Sequence, residues 1–256
     1  MDPIEYNREA WNREVARGNR WTVPVDAATI RRARRGEWSV VLTGKVPVPA
    51  EWLGDITGKR LLCLASGGGQ QGPVLAAAGA DVTVFDLSDA QLDRDREVAV
   101  REGLSLKTVR GEMTDLSAFD DACFDLVFHP VSNCFVPDVR PVWREAFRVL
   151  EPGGRLLAGF LNPAEFLYDE ADADVGDLRI RHKIPYSDLD RSEEQRRRQT
   201  EQHEPLCFGH TLQDQVGGQL DAGFLITGFY EHAHDESPLE TYIDTYIATR
   251  AIKPAG

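Results

Sequence analysis

The sequence predicts an α/β fold: a doubly wound, mostly parallel seven-stranded sheet with an antiparallel C-terminal strand and an N-terminal helical cap. Three observations predict it. The apolar run Leu61-Leu62-Cys63-Leu64-Ala65 passes directly into Ser66-Gly67-Gly68-Gly69 and then into a helix-like stretch led by Pro73. From Lys59 to Phe160, short apolar segments alternate with helix-length segments, the pattern of helices packed on a parallel sheet. Two final strand-like runs, at 224–231 and 241–250, are too close in sequence for a helical crossover, so they pair as an antiparallel hairpin.

Taken in order, residues 1–40 look helical and carry Trp11, Trp21 and Trp38, with a break at Thr22-Val23-Pro24-Val25. Val46-Pro47-Val48-Pro49 is an extended linker, because each residue before a proline is held out of the helical region. This divides the chain into a cap and linker at 1–50 and a main domain at 51–256. The first strand is 61–65, and the helix after it spans 70–79, with Pro73 in its first turn. The second strand, 81–86, ends on Asp86. Ser88 followed by Gln91 matches a capping box that opens the next helix. Strands follow at 106–109 and 124–128, and 139–150 is a helix with apolar spacing at Val142, Phe147 and Leu150. Glu151-Pro152-Gly153-Gly154 reads as a turn into a fifth strand at 155–160. Residues 162–205 break the rhythm and are rich in Asp, Glu and Arg. A connection of that length reads as a lid-like insertion. A helix at 211–222 precedes the hairpin.

Composition narrows the function. A hydrophobic content of 42% supports a packed core, and no apolar run approaches the roughly 20 residues needed to span a bilayer. The start, Met1-Asp2-Pro3-Ile4-Glu5-Tyr6, lacks the features of a secretory signal, so a cytoplasmic location is expected. Cys63, Cys123, Cys134 and Cys207 show no C-x-x-C spacing and read as reduced thiols. A net charge of −13 argues against nucleic acid and anionic membrane. The basic run Arg31-Arg32-Ala33-Arg34-Arg35 reads as a solvated helix face.

A strand, a glycine turn and a helix N-terminus make a nucleotide-type site. Gly67-x-Gly69-x-x-Gly72 with Asp86 at the end of the second strand satisfies the dinucleotide fingerprint, which keeps an NAD(P)-dependent oxidoreductase open. Other motifs separate the candidates. Residues 56–161 resemble the class I S-adenosylmethionine-dependent methyltransferases: 61–69 resembles the family's first motif and Phe124-Asp125-Leu126-Val127 its fourth-strand motif. The most discriminating match is Arg148-Val149-Leu150-Glu151-Pro152-Gly153-Gly154-Arg155-Leu156, similar to the family's R-V-L-x-P-G-G-x-L. The chain departs from the pattern at Cys63, where the family often has an acid, at Ala65-Ser66, where Gly-Cys is usual, and at Glu112, where Asp is usual. These departures leave a non-catalytic adenosyl-binding protein as a further alternative.

The resemblance implies S-adenosyl-L-methionine as cofactor and direct in-line methyl transfer, with a Rossmann-like fold. It places Ala65, Ser66, Gly67, Gly68 and Gly69 against the methionine portion and ribose, and Asp86 on the ribose hydroxyls. Leu87 covers the adenine, Glu112 accepts from its amino group and Met113 packs on the ring. The acidic chain, with no visible docking domain, favours a small-molecule acceptor at oxygen, nitrogen or sulfur; oligomeric state stays open. His129 begins the loop after the fourth strand, where it is positioned either as general base or to orient the cofactor carboxylate. Asn133 and Tyr168 are the substrate-side candidates. Tyr6, Trp11 and Trp21 precede the sheet and could fold over the sulfonium as an aromatic cap, or simply fasten a helix to the core. His203, Cys207 and His210, with His232 and His234 further on, have spacing suited to metal ligands but no standard zinc motif. No metal is expected, and His203 and His210 read instead as lid residues able to accept a proton.

Overall fold

The computed structural model describes residues 2–169, 178–233 and 237–255. His234 and the middle of the 162–205 insertion lie outside the described residues. A seven-stranded sheet forms the centre, in the order β3-β2-β1-β4-β5-β9-β8. Its strands are β1 (Arg60–Leu64), β2 (Asp81–Asp86), β3 (Leu106–Arg110), β4 (Phe124–His129), β5 (Leu150–Leu161), β8 (Leu225–His232) and β9 (Tyr246–Ile252). Two short strands, β6 (Tyr186–Ser187) within the insertion and β7 (Phe208–Gly209) just after it, pair separately. The first five strands of the sheet run parallel, and β9 lies antiparallel to both β5 and β8. This is the fold class expected from the sequence, hairpin included.

Each element follows from its residues. Leu61, Leu62, Cys63 and Leu64 are all fully buried, as a central parallel strand with helices on both faces requires. Helix α5 (Asp89–Glu102) starts on Ser88, whose Oγ accepts from the Gln91 amide, and stops at Gly103 in the left-handed region. The expected capping box is only half made, because the Gln91 side chain turns toward the glycine loop instead of back to Ser88. Helix α6 (Arg140–Val149) buries Val142, Trp143, Ala146 and Val149 along one face. The Pro152-Gly153-Gly154 segment, read as a turn, lies inside β5 as an irregularity between Phe124 and Leu126 of its neighbour β4. It is held there because Gly153 donates to the Lys253 carbonyl and Lys253 to the Gly154 carbonyl. The helix expected at 211–222 is split into a π-type turn, Gln213–Gly217, and a short α-helix, Gly218–Asp221. Gly218 packs closely on α6: a Cβ there would stand 2.7 Å from the Trp143 ring.

The N-terminal segment contains helix α1 (Pro3–Arg17), a turn at Arg20–Thr22 and helix α2 (Ala27–Ala33), joined to β1 through helix α3 (Ala50–Leu53). Helix α4 (Gln71–Ala77) follows β1. Asn12 on α1 accepts from the Ser88 hydroxyl and the Ala90 amide, tying α1 to the start of α5. Asn7 is fully buried. Its amide donates to the carbonyls of Phe135 (2.9 Å) and Leu206 (3.0 Å), and its oxygen accepts from the Leu206 amide (2.7 Å). One side chain thus joins α1, the loop after β4 and the strand-like segment before β7.

Truncating Asn7 leaves the Phe135 carbonyl and both Leu206 backbone groups without this partner. Asn7→Ala should lower the unfolding free energy by about 3 kcal/mol, given roughly 1–3 kcal/mol for each buried group left unpaired. Urea denaturation measures this, and a loss below about 0.5 kcal/mol would contradict the assignment.

Candidate active site

The carboxyl ends of the parallel strands open into one cavity of about 310 Å³. Its floor is laid by successive strand ends: Ala65, Ser66 and Gly67 after β1, Asp86 and Leu87 at β2, Glu112 and Met113 after β3, and Pro130, Val131 and Ser132 after β4. Trp11 and Trp21 from the N-terminal segment and Phe135 from the β4 loop also line it. At the far side stand Thr43, Leu161, Phe166 and Tyr246, joined by the thiols of Cys134 and Cys207. From β2 to β9 there are four strand spacings, about 19 Å in all at ~4.8 Å each, so the cavity has two distinct ends.

The β2–β3 end carries the charge. Asp86 Oδ2 accepts from the Gly67 amide at 3.2 Å and Oδ1 from the Ser88 amide at 2.9 Å. Burial nonetheless pushes its carboxyl up to about 6, against the opposing pull of those amides. Burial also raises Glu112, partly offset by hydrogen bonds from Thr114. Among the described residues that line the cavity there is no lysine, arginine or histidine. Three wall residues hold buried side-chain oxygens without a partner: Ser66 Oγ, Gln91 Oε1 and Glu112 Oε1. A ligand rich in hydroxyl and amino donors, with net positive charge, suits this end. S-adenosylmethionine has that donor set.

The glycine turn works differently from the sequence expectation. Gly67 lines the cavity, and a Cβ there would stand 2.7 Å from Gln91 Cβ and 2.9 Å from Asp86 Oδ2. Its bareness lets those two side chains reach the turn. Gly68 and Gly69 are not in the wall. Both have left-handed φ, and Cβ atoms there would meet the Trp21 carbonyl at 2.6 Å and the Arg94 carbonyl at 2.8 Å. They seat the N-terminal segment and α5 against the turn. Ala65, where glycine is usual, also has left-handed φ, +48°, a strain of about 1 kcal/mol for a residue with a Cβ.

Several expected site residues stand behind the wall. His129 is fully buried; its Nδ1 donates to the Leu64 carbonyl at 2.9 Å and its ring packs edge-on to Trp143. Burial lowers its pKa to about 4, so it is neutral near pH 7 and out of reach of an acceptor. Asn133 is spent on a mutual amide pair with Gln215, both bonds 3.1 Å, and its carbonyl accepts from His210 Nε2 at 3.0 Å. This network fixes the β4 loop. Tyr6 donates to the Glu204 carbonyl at 3.0 Å, and Tyr168 to Glu165 at 3.1 Å; neither lines the cavity. His203 caps the helix Glu193–Gln202 and faces Arg13. His203, Cys207 and His210 are therefore not brought together, and no cluster able to hold a metal occurs among the described residues. Contact with Cys134, together with burial, holds the Cys207 thiol well above its ordinary range, so it is a thiol and not a thiolate.

Sequence reasoning missed Asn7, Thr43 and Gln91. Gln91 carried a signal, read only as a cap; Thr43 sits in a loop where nothing in the pattern marks it.

Comparison with known proteins gives the family. A model described as "Methyltransferase domain" matches residues 62–158. The chain is 50% identical over 251 residues to an uncharacterized methyltransferase, YbaJ, of Bacillus subtilis (strain 168), covering 98% of each chain. It is 30% identical over 128 residues to the ubiquinone biosynthesis O-methyltransferase of Bordetella avium (strain 197N), covering 48% of this chain and 53% of that one. In fold it resembles the 1,6-didemethyltoxoflavin-N1-methyltransferase of Burkholderia thailandensis, solved with S-adenosylhomocysteine bound (TM-score 0.61, 17% identity, 99% of this chain and 91% of that one). It also resembles an S-adenosylmethionine-dependent methyltransferase of Mesorhizobium loti (TM-score 0.58, 18% identity, 79% and 94%).

The placement of His129 has a consequence for stability. A histidine protonated at ~6.5 when unfolded but only at about 4 when folded favours the unfolded state as pH falls between those values. Its contribution is fully present above about pH 6.5 and declines toward pH 4, by about 3 kcal/mol at most. Urea midpoints across that range should fall more steeply for the native protein than for His129→Phe. Equal slopes would contradict the buried neutral ring.

Proposed function

Because the chain belongs to the class I S-adenosylmethionine-dependent methyltransferases, we propose that it transfers the methyl group directly to a heteroatom (oxygen, nitrogen or sulfur) of a small-molecule acceptor held at the β5–β9 end of the cavity. The observation that carries the reading is the row of acceptor atoms on Ser66, Asp86, Gln91 and Glu112, with no cationic side chain among the described lining residues. Family membership sets aside the oxidoreductase alternative.

When bound, the cofactor supplies a methyl carbon on a sulfonium, and transfer leaves the bonding pair on a neutral thioether. The protein's own work is to hold and align. Asp86 accepts from the ribose hydroxyls and Glu112 from the adenine amino group, with Leu87 and Met113 on the ring. Ser66 and the Gln91 amide oxygen take further donors of the adenosyl–methionine skeleton. Trp11 and Trp21 line the cavity and help exclude water. Alignment of the acceptor within about 3–3.5 Å of the methyl carbon then supplies much of the rate. His129 acts as a positioning residue, anchoring the end of β4 to the end of β1 through the Leu64 carbonyl.

Calorimetric titration tests the reading. S-adenosylhomocysteine should bind, NAD(P) should not, and Asp86→Asn should weaken binding by about 10- to 100-fold, the worth of one or two charge-assisted hydrogen bonds. Ligand hydroxyls favour the ionised carboxylate, so affinity should fall as pH drops below about 6, where Asp86 takes up a proton. The fall should approach tenfold per pH unit and be flattened in Asp86→Asn. Binding of NAD(P) in preference to S-adenosylhomocysteine, or unchanged affinity in Asp86→Asn, would overturn it.

A further inference from the structure

The far end of the cavity differs in chemistry from the end that carries Asp86 and Glu112. Leu161 and Tyr246 face each other across the β5–β9 pair. Phe135, Phe166 and Val131 add apolar surface to the same wall. The titratable side chains there are the thiols of Cys134 and Cys207 and the phenol of Tyr246, none of them a cation. An anionic acceptor, a carboxylate or phosphate, would lose its hydration without a cationic side chain in the wall to replace it, since the nearest imidazole, His232, stands behind Thr43.

One polar device stands among these apolar groups. Thr43 is 5% exposed and lines the cavity beside Tyr246; a Cβ on the next residue, Gly44, would lie 2.9 Å from the Tyr246 ring. Thr43 Oγ1 is 2.8 Å from His232 Nε2. His232 lies on the far end of β8, paired with Tyr246, and its ring meets the Tyr246 ring edge-on at 5.1 Å. The loop carrying Thr43 is fixed, because the Val131 amide donates to the Leu42 carbonyl and a Cβ at Gly159 would stand 2.1 Å from that same oxygen. A hydroxyl has one proton and two lone pairs. In the tautomer that leaves Nε2 unprotonated, Thr43 donates to His232, and beside the Tyr230 hydroxyl it keeps a lone pair for a donor in the cavity.

We propose that the acceptor is an uncharged, largely apolar molecule whose O–H or N–H group donates to Thr43, and that Thr43 and His232 together remove its proton. The inference rests on the methyltransferase reading above. As the acceptor heteroatom's lone pair forms its bond to the methyl carbon, its X–H bond breaks and the proton moves to Thr43 Oγ1. The Thr43 proton moves in turn to His232 Nε2, so threonine is restored and the imidazole carries the charge. Thr43 touches the acceptor; His232 acts through it.

The test uses the full-length protein saturated with S-adenosylhomocysteine and three probes of one shape: 2-naphthol, 2-naphthoate and 2-methoxynaphthalene. Binding is read by calorimetry and by quenching of tryptophan fluorescence. 2-Naphthol should bind about tenfold or more tighter than 2-naphthoate, which finds no counter-ion, and about tenfold tighter than 2-methoxynaphthalene, which has no proton to donate. In Thr43→Val, 2-naphthol should fall to the affinity of 2-methoxynaphthalene, whose own binding is unchanged, while Thr43→Ser keeps the preference. Naphthoate binding as tightly as naphthol, equal binding of naphthol and its methyl ether to the native protein, or no binding of any probe would overturn the proposal. The native comparison decides even if Thr43→Val does not fold. Failure of S-adenosylhomocysteine itself to bind would fell the methyltransferase reading, a result separable from failure of the probes.

Discussion

The buried amide of Asn7 is the interaction on which the cavity depends. The sheet supplies a floor at the ends of its parallel strands, but a floor alone encloses nothing. Asn7 reaches from the N-terminal helix to backbone groups of Phe135 and Leu206, so one side chain joins helix, β4 loop and the segment that follows the insertion, while Tyr6 and Arg13 add contacts to the insertion itself. An amide is suited to this because it donates and accepts at once, and each bond satisfies a backbone group that would otherwise be buried unpaired. With those three segments joined, Trp11 and Phe135 meet edge to face at 5.0 Å and close one wall.

The enclosed space is asymmetric, and the asymmetry gives the chemistry direction. Carboxylates and unpartnered oxygens stand at the β2–β3 end, apolar and aromatic groups at the β5–β9 end. On the proposed reading, a donor-rich cation takes the first and a neutral acceptor the second. The histidines buried near the sheet, His129 and His210, serve structure. His129 is neutral and occupied with a carbonyl, His210 holds the β4 loop, and the Cys207 thiol stays protonated.

Much of the fold was legible in the sequence because parallel strands buried on both faces leave continuous apolar runs. Residues 61–64 and 124–128 announced themselves in that way. The C-terminal hairpin was legible from loop length alone. The site was only half legible. Asp86, Glu112 and Met113 end or follow strands, so chain position locates them at the strand tips. The glycines at 68 and 69 were read as ligand contacts because bare backbone serves a ligand and a close-packed neighbour equally well; here the neighbours are Trp21 and Arg94. Asn133 and His210 show a related ambiguity, being placed here in a network that braces the β4 loop. A polar side chain beside a site looks the same in sequence whether it points into the cavity or braces it from behind. Thr43 and Asn7 act through partners 189 and 199 residues away, contacts that no local pattern encodes.

A crystal structure of the protein with S-adenosylhomocysteine tests the central claim most directly. The account requires the ribose hydroxyls on Asp86, the adenine amino group on Glu112, and the sulfur directed toward the end formed by Thr43, Cys134 and Tyr246. A ligand lying in the reverse sense, or bound outside this cavity, would contradict it.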